Sequence, residues 1–277
     1  MNARQFVAAA IQLCSASDKT ANLDKAEGFI ATAARQGARL VVLPEVFLWR
    51  GPRQEERIAA EPIPGPSTNR LALLARQLGI HLLAGTILES SDGTQQTASK
   101  VFNTSVLFDA RGEIVARYRK VHLFDVDIPG YVTIRESDTR LHGDAVVTVP
   151  TELGVIGMTV CYDLRFPELY RQQTLAGAEI ITIPSAFTFP TGAAHWEILL
   201  RARAIENQVY VIAPDQIGRS PSGVVDFGNS MIVDPWGKPL ARAADREMVI
   251  LAEIDRDYQE RVRRELPCLT HVKLAVR

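Results

Sequence analysis

Apolar runs of strand length alternate with amphipathic stretches along most of the chain. Residues 6–13 read as a strand, residues 21–35 as an amphipathic helix ended by Gly37, and residues 40–43 as a second strand, which together make a βαβ opening. A proline-rich loop, residues 61–66, leads to a helix over about 68–78 capped by Gly79. Strands are expected at 81–88, 101–108 and 114–118, with Asp109-Ala110-Arg111-Gly112 turning the last pair into a hairpin. Further on, strands at 145–149 and 155–160 precede a helix over 167–176, with Pro167 suited to its first turn and Gly177 to its C-terminal cap. A strand at 180–183, a helix at 194–207 and strands at 209–213, 230–233 and 248–254 complete the series before a short helix and a polar tail. This mixed order predicts a layered α/β architecture. No internal repeat, low-complexity segment or break in composition divides it, so one domain is expected over 1–277, with a core at about 6–254 and a C-terminal helix and tail at 255–277.

Composition narrows the function classes. With 277 residues, 47% hydrophobic, 23% charged and a net charge of −1, the chain describes a soluble protein able to bury a large core. A near-neutral balance without a lysine/arginine block lacks the footprint that a phosphate backbone requires, so nucleic acid is not an expected partner; Arg261, Arg263 and Arg264 read as a solvated helix face. Cys14, Cys161 and Cys268 are odd in number and widely spaced, which argues against a disulfide framework or a thiolate metal site and for a reducing compartment. The N-terminal apolar run is too short for a signal peptide or a membrane span, so a cytoplasmic location and no membrane partner are expected. His195-Trp196-Glu197 lacks the second histidine of a zinc motif, and no phosphate-binding glycine loop is present, so neither metal nor cofactor is expected.

Three chemically capable residues stand at strand ends. Cys161 sits where the run 155–160 stops and a helix is about to begin, a corner that projects one side chain and leaves the next backbone N–H groups facing whatever it attacks. Glu45 follows the run 40–43, and Lys120 follows the strand 114–118. Each has an ordinary alternative: an inert buried thiol, a loop carboxylate, a solvated lysine. In α/β sheets sites gather beyond the carboxyl ends of strands, so a carboxylate, an ammonium and a thiol at three such ends would share one crevice.

Leu43-Pro44-Glu45, the segment Tyr118 to Leu123 and Cys161-Tyr162-Asp163-Leu164-Arg165-Phe166-Pro167-Glu168 resemble, in order, the three signature segments of the nitrilase superfamily of carbon–nitrogen hydrolases. The similarity runs from Phe6 to about Pro267. It implies a four-layer α-β-β-α sandwich. It also implies Glu45 as general base, Lys120 as transition-state cation, Cys161 as nucleophile and the Tyr162 backbone N–H as a second oxyanion donor. Glu136 matches the family's second carboxylate, its alternative being a surface glutamate in the long polar loop 124–139. Arg165 either binds a substrate carboxylate or pairs internally with Glu168 or Asp163. The segments 185–187, 191–197 and 199–203 look most like the deaminated glutathione amidases and, less closely, the omega-amidases. That implies hydrolysis of a small carboxylate-bearing amide to carboxylate and ammonia through a cysteine thioester. The loops 47–53 and 219–227 do not match that branch. A nitrilase or another amidase of the same superfamily, and a non-catalytic binding protein on the same fold, are the competing readings. The resemblance further implies a homodimer or higher homo-oligomer, with the helix 167–176 and the tail 266–277 as candidate interface.

Overall fold

The computed structural model of the protein describes residues 4–91 and 99–274. Strands near the N-terminus are apolar on both faces because each face meets a different layer. Along Gln5–Gln12, Phe6, Ala8 and Ala10 join one buried cluster while Ala9 and Ile11 join another, the two-residue period of a strand. The second cluster lies beneath α1 (Lys19–Arg35) and α3 (Pro66–Leu78), through Leu23, Ala26, Ile30, Leu71 and Ala75. The first continues into a second sheet and then to α4 (Pro167–Leu175) and α5 (Phe189–Asn207), through Tyr170, Trp196 and Leu200. The layers therefore run α-β-β-α, as the resemblance implies.

The first sheet is ordered Met248–Asp255, Gln5–Gln12, Ala38–Val42, His81–Leu83, Val101–Phe108, Ile87–Ser90, and Ile114–Arg119 also pairs with Val101–Phe108. The second is ordered Val147–Thr151, Gly154–Met158, Ile180–Thr182, Tyr210–Ala213, Met231–Val233, Pro239–Arg242. Each has a parallel centre: Gln5–Gln12 with Ala38–Val42 and His81–Leu83 in one, Gly154–Met158 with Ile180–Thr182 and Tyr210–Ala213 in the other.

Several elements differ from the sequence reading, among them the added strand Pro239–Arg242 and the pair Ile217–Arg219 and Val225–Phe227, and three more have a clear physical reason. The strand expected at 81–88 is two strands, His81–Leu83 and Ile87–Ser90. The interruption falls at Gly85, in the left-handed region at φ +27, where a Cβ would collide with the Pro44 carbonyl oxygen; the break admits the chain that carries Glu45. Helix α5 begins five residues before the expected start, because Pro190 occupies its first turn and Gly192 lets Phe227 pack against the backbone. The region read as a long loop after Phe124 holds a hairpin, Asp125–Ile128 with Val132–Arg135, whose residues are exposed or half-buried and so carry little apolar signal. The hairpin turn at Asp109 is found as expected, closed by Gly112 N–H donating to Asp109 O at 2.9 Å. The last helix is α6 (Arg256–Glu265), and a four-residue helix, α2 (Glu56–Ala59), follows the Glu45 loop. Of the tail, residues 275–277 lie outside the described residues. Among the described residues no helix is long and apolar enough to cross a membrane.

Candidate active site

Glu45 stands just beyond Ala38–Val42, in a turn made by a backbone reversal. Val46 adopts φ +48, unusual for a β-branched residue, and its N–H donates to Thr86 Oγ1 at 2.7 Å. Lys120 follows Ile114–Arg119; its N–H donates to Asn103 O at 2.9 Å and its carbonyl accepts from Gly143 N–H at 2.8 Å, which fixes the base of the side chain.

Cys161 also sits in the left-handed region, at φ +48, where the chain leaves Gly154–Met158 and enters a 3-10 turn, Cys161–Arg165. Its N–H donates to Pro184 O at 2.9 Å. Fully buried Asp163 staples the corner: Oδ2 accepts from Val160 N–H at 2.9 Å and from Tyr118 OH at 2.7 Å, and Oδ1 accepts from His122 N–H at 3.0 Å. Tyr162 lies in the first turn, where backbone donors have no acceptor within the helix.

These corners bring Glu45, Lys120, Glu136 and Cys161 to one cavity of about 410 Å³. Lys120 Nζ donates to Glu45 Oε1 and to Glu136 Oε2, each at 2.9 Å, with all three side chains buried. Burial opposes the ammonium, but Glu136 and Glu45 outweigh it and hold Lys120 above its ordinary range. Burial likewise opposes the Glu136 carboxylate, yet Lys120 and then Arg140 keep it well below the usual carboxylate range. Glu45 is oriented by three donors: Lys120 and Asn103 Nδ2 (2.7 Å) on Oε1, and Ala186 N–H (3.0 Å) on Oε2. Burial and then the Glu45 charge push the Cys161 thiol up, against the pull of Lys120 and an Ala186 N–H. The thiol therefore rests protonated beside a carboxylate.

Arg165 is placed elsewhere. Its Nη1 lies 3.3 Å from His195 Nδ1 and its guanidinium over the Phe187 and Tyr162 rings, and it does not line the cavity. The internal pair considered for it is not formed with Asp163, whose oxygens are filled by Val160, Tyr118 and His122. Both loops that depart from the branch pattern do reach the cavity, through Trp49, Arg50 and Arg53 on one side and Ser222 and Val224 on the other. Arg50 is paired with Asp226, and burial lowers it to about 10.

Asn103, Arg140 and Glu56 were not anticipated. A fully buried asparagine within the apolar strand Val101–Phe108 is the one sequence signal that could have pointed to the first. Arg140 and Glu56 meet only through tertiary structure, 84 residues apart.

Known proteins share this arrangement of sequence and fold. The carbon–nitrogen hydrolase family model matches residues 7–264. Deaminated glutathione amidase of Bos taurus is 43% identical over 95% of this chain and 80% of its own length, and the human omega-amidase NIT2 is 39% identical over 95% and 93%. The crystal structure of Saccharomyces cerevisiae Nit3, a member of branch 10 of the nitrilase superfamily, superposes with a TM-score of 0.85 at 36% identity, covering 95% of each chain. A match over nearly the whole chain in both sequence and fold leaves one assignment: the chain belongs to the carbon–nitrogen hydrolase family, within the nitrilase superfamily.

Proposed function

We propose that the protein hydrolyses a small carboxylate-bearing amide through a thioester on Cys161, a reading supported by its likeness to a deaminated glutathione amidase and an omega-amidase. The observation that carries this reading is the buried Glu45–Lys120–Glu136 array opening with Cys161 onto one cavity. Because the thiol is protonated at rest, Glu45 takes its proton as sulfur attacks the amide carbon, so base and nucleophile act in one step. The C–S bond forms, the carbonyl electron pair moves onto oxygen, and Lys120 Nζ and the Tyr162 N–H hold the oxyanion. On collapse the C–N bond breaks and Glu45 passes its proton to the departing nitrogen, leaving a thioester. Glu45 then deprotonates a water that attacks the thioester; the C–S bond breaks, and sulfur recovers the proton.

The substrate's own carboxylate needs a cation that the protein has not already neutralised. Of the cationic residues lining the cavity, Lys120, Arg140 and Arg50 each pair with carboxylates, while Arg53 donates from Nη1 to the Arg135 carbonyl at 2.8 Å and, among the described residues, forms no ion pair, though it lies near Glu56. Arg53 is the residue we assign to that carboxylate, in place of Arg165. The test is a panel of small amides in pairs that differ only in a carboxylate or its methyl ester, with product release measured for wild type and Cys161→Ala. A thioester mass on Cys161 after acid quench, and preference for the free carboxylate, are expected. An adduct on Cys14 or Cys268, or equal turnover by Cys161→Ala, overturns the reading.

The proposed assembly is a cytoplasmic homodimer. Support for the dimer comes from large apolar side chains left exposed on the candidate interface, Leu175 at the end of α4 and Leu266 and Leu274 in the tail. Sedimentation of the full chain, with Leu175→Glu as the variant expected to dissociate, tests it.

A further inference from the structure

Glu136 divides its oxygens between two cations. Oε2 accepts from Lys120 Nζ and from Phe124 N–H, both at 2.9 Å, while Oε1 accepts from Arg140 Nη1 at 2.7 Å. The rest of the Arg140 fork belongs to Glu56: Nη2 donates to Oε1 at 2.7 Å and Nε reaches both oxygens at 3.2 Å. Glu56 Oε2 takes one more donor, Thr139 Oγ1 at 2.7 Å. All three charged residues are buried: Glu56 3% exposed, Glu136 6%, Arg140 8%. Glu56 opens the short helix α2, on the segment that follows the Glu45 loop, and Arg140 lies in a two-residue strand paired with Val101–Phe108, the strand that carries Asn103. The chain thus ties both sides of its acidic–basic array together through one guanidinium.

We infer that Arg140, clamped by Glu56, is a positioning residue that keeps Glu136 an anion anchored on Lys120, so that Glu45 alone receives the thiol proton. The inference rests on the reading of Glu45, Lys120 and Cys161 given above.

Glu45 and Glu136 compete for the thiol proton. Two carboxylates touch the same ammonium, and a proton leaving sulfur at the wrong one would loosen Lys120 from the position where it meets the oxyanion. Both oxygens of Glu136 are engaged by cationic donors, whereas Glu45 faces a cation on one oxygen and neutral amide donors otherwise. The groups acting on Glu136 are Lys120 and Arg140 directly, Glu45 through Lys120, Glu56 through Arg140, and Cys161 across the cavity. Asp125 on the adjoining hairpin acts as well, and Arg53 lies near enough to favour the Glu56 carboxylate. Glu56 spends its charge on the guanidinium. Without Glu56, Arg140 would be a half-satisfied buried fork; without Arg140, Glu56 would be a buried charge lacking its cation.

The experiment compares wild type, Arg140→Lys, Arg140→Gln and the charge-neutral pair Arg140→Gln/Glu56→Gln. The double variant leaves no orphaned buried charge and serves if the single one does not fold. The first readout is the rate of Cys161 alkylation by chloroacetamide against pH, followed on the Cys161 peptide, which needs no knowledge of the substrate. The second is kcat and KM on whichever amide wild type turns over. Removing the guanidinium is expected to move the acid limb of the alkylation profile to higher pH. It should lower kcat about 10- to 100-fold with KM little changed, the size expected when a catalytic group shifts by a fraction of an ångström to one ångström. Arg140→Lys is expected to recover part of both effects.

Folded variants with an unmoved acid limb and intact kcat would leave Arg140 a stability element and end the inference. A rise in KM alone would make it a substrate-binding residue instead. Wild-type Cys161 no more reactive than Cys14 and Cys268 would overturn the underlying site assignment, whereas selective alkylation without amide turnover would refute only the substrate class.

Discussion

Two corners of the fold, one on each sheet, do the same geometric job with opposite means. At the first, the chain leaves Ala38–Val42 and reverses at Val46; at the second, it leaves Gly154–Met158 and reverses at Cys161, and both residues adopt φ +48. The Glu45 corner is held from outside, by Thr86, Asn103, Lys120 and the Gln216 side chain, which donates to the Glu45 carbonyl at 2.9 Å. The Cys161 corner has a local staple: Asp163 closes on Val160, three residues before it and just ahead of the 3-10 turn. A carboxylate that must meet three partners in turn is built from long-range contacts, whereas a nucleophile that needs one fixed direction turns on a local staple that Tyr118, His122 and Pro184 then hold from outside. Glu45 and Lys120 both follow strands of the first sheet and Cys161 a strand of the second, so thiol and carboxylate approach because the sheets dock face to face.

Removing the reactive group from either corner gives the largest effect. Cys161→Ala is expected to abolish turnover, by about 10⁴-fold or more, and Glu45→Gln to come close to it, since groups acting as a unit do not contribute additively. The check is kcat/KM for both variants and their double: a double variant no slower than Cys161→Ala confirms that the corners form one unit. Independent, multiplicative losses would separate them. Next in size is Lys120→Gln, which takes one donor from the oxyanion. A loss of about 10²- to 10³-fold in kcat is expected, the usual cost of one such donor. Pre-steady-state product bursts with an activated ester locate the loss in acylation.

The two corners were also unequally legible in the sequence. Cys161, Glu45 and Lys120 stood out as candidates because each follows a strand, marked by where an apolar run stops, and the likeness of their segments to the superfamily's signatures chose the chemical reading over the ordinary one. The local corner was almost fully readable: Pro167 and the short Cys161–Arg165 turn fall where the strand-to-helix change predicts. The supports of the Glu45 corner were not. Asn103 looks like an interruption of a strand until Glu45 is placed against it, and the strand break at Gly85 is dictated by Pro44, a residue from a neighbouring strand end. Arg165 misled for the same reason. Sequence proximity to the nucleophile suggested the cavity, but the 3-10 turn aims the side chain at His195 and the Phe187 ring. Spacing reports local direction; which side chains share a cavity is decided by how layers pack.

A sharper comparison comes from weakening each corner's support without touching the reactive groups. Asp163→Asn is expected to cost stability first. It weakens a fully buried acceptor of several hydrogen bonds and places an amide nitrogen against donors that need an oxygen, at about 1–3 kcal/mol for each group left unsatisfied. Asn103→Leu is expected to leave the melting temperature closer to wild type and to lower kcat about tenfold, the equivalent of one lost hydrogen bond to a charged acceptor. Thermal melts and kcat measured side by side decide it. If Asn103→Leu melted early with kcat preserved, the long-range support would be structural and the contrast between the corners would collapse.

The smallest expected effect concerns acid. Glu136 and Glu56 are both held below the ordinary carboxylate value of 4.5, Glu136 to about 2, by the cations that outweigh their burial. A carboxyl group with a depressed folded-state pKa contributes stability that is fully present above its unfolded value and is lost as pH falls through the folded one. Melting temperature should therefore change little from these groups between neutral pH and about 4.5, then decline toward pH 2 as Glu136 and Glu56 take up protons against Lys120 and Arg140. In the variant Arg140→Gln/Glu56→Gln one of the two carboxylates is gone and the other has lost a cation, so the decline should still begin near the unfolded value but be shallower and end at higher pH. A wild-type profile already falling between pH 7 and 5 would place the acid-sensitive group outside this network and detach the fold's acid stability from the array that surrounds Lys120.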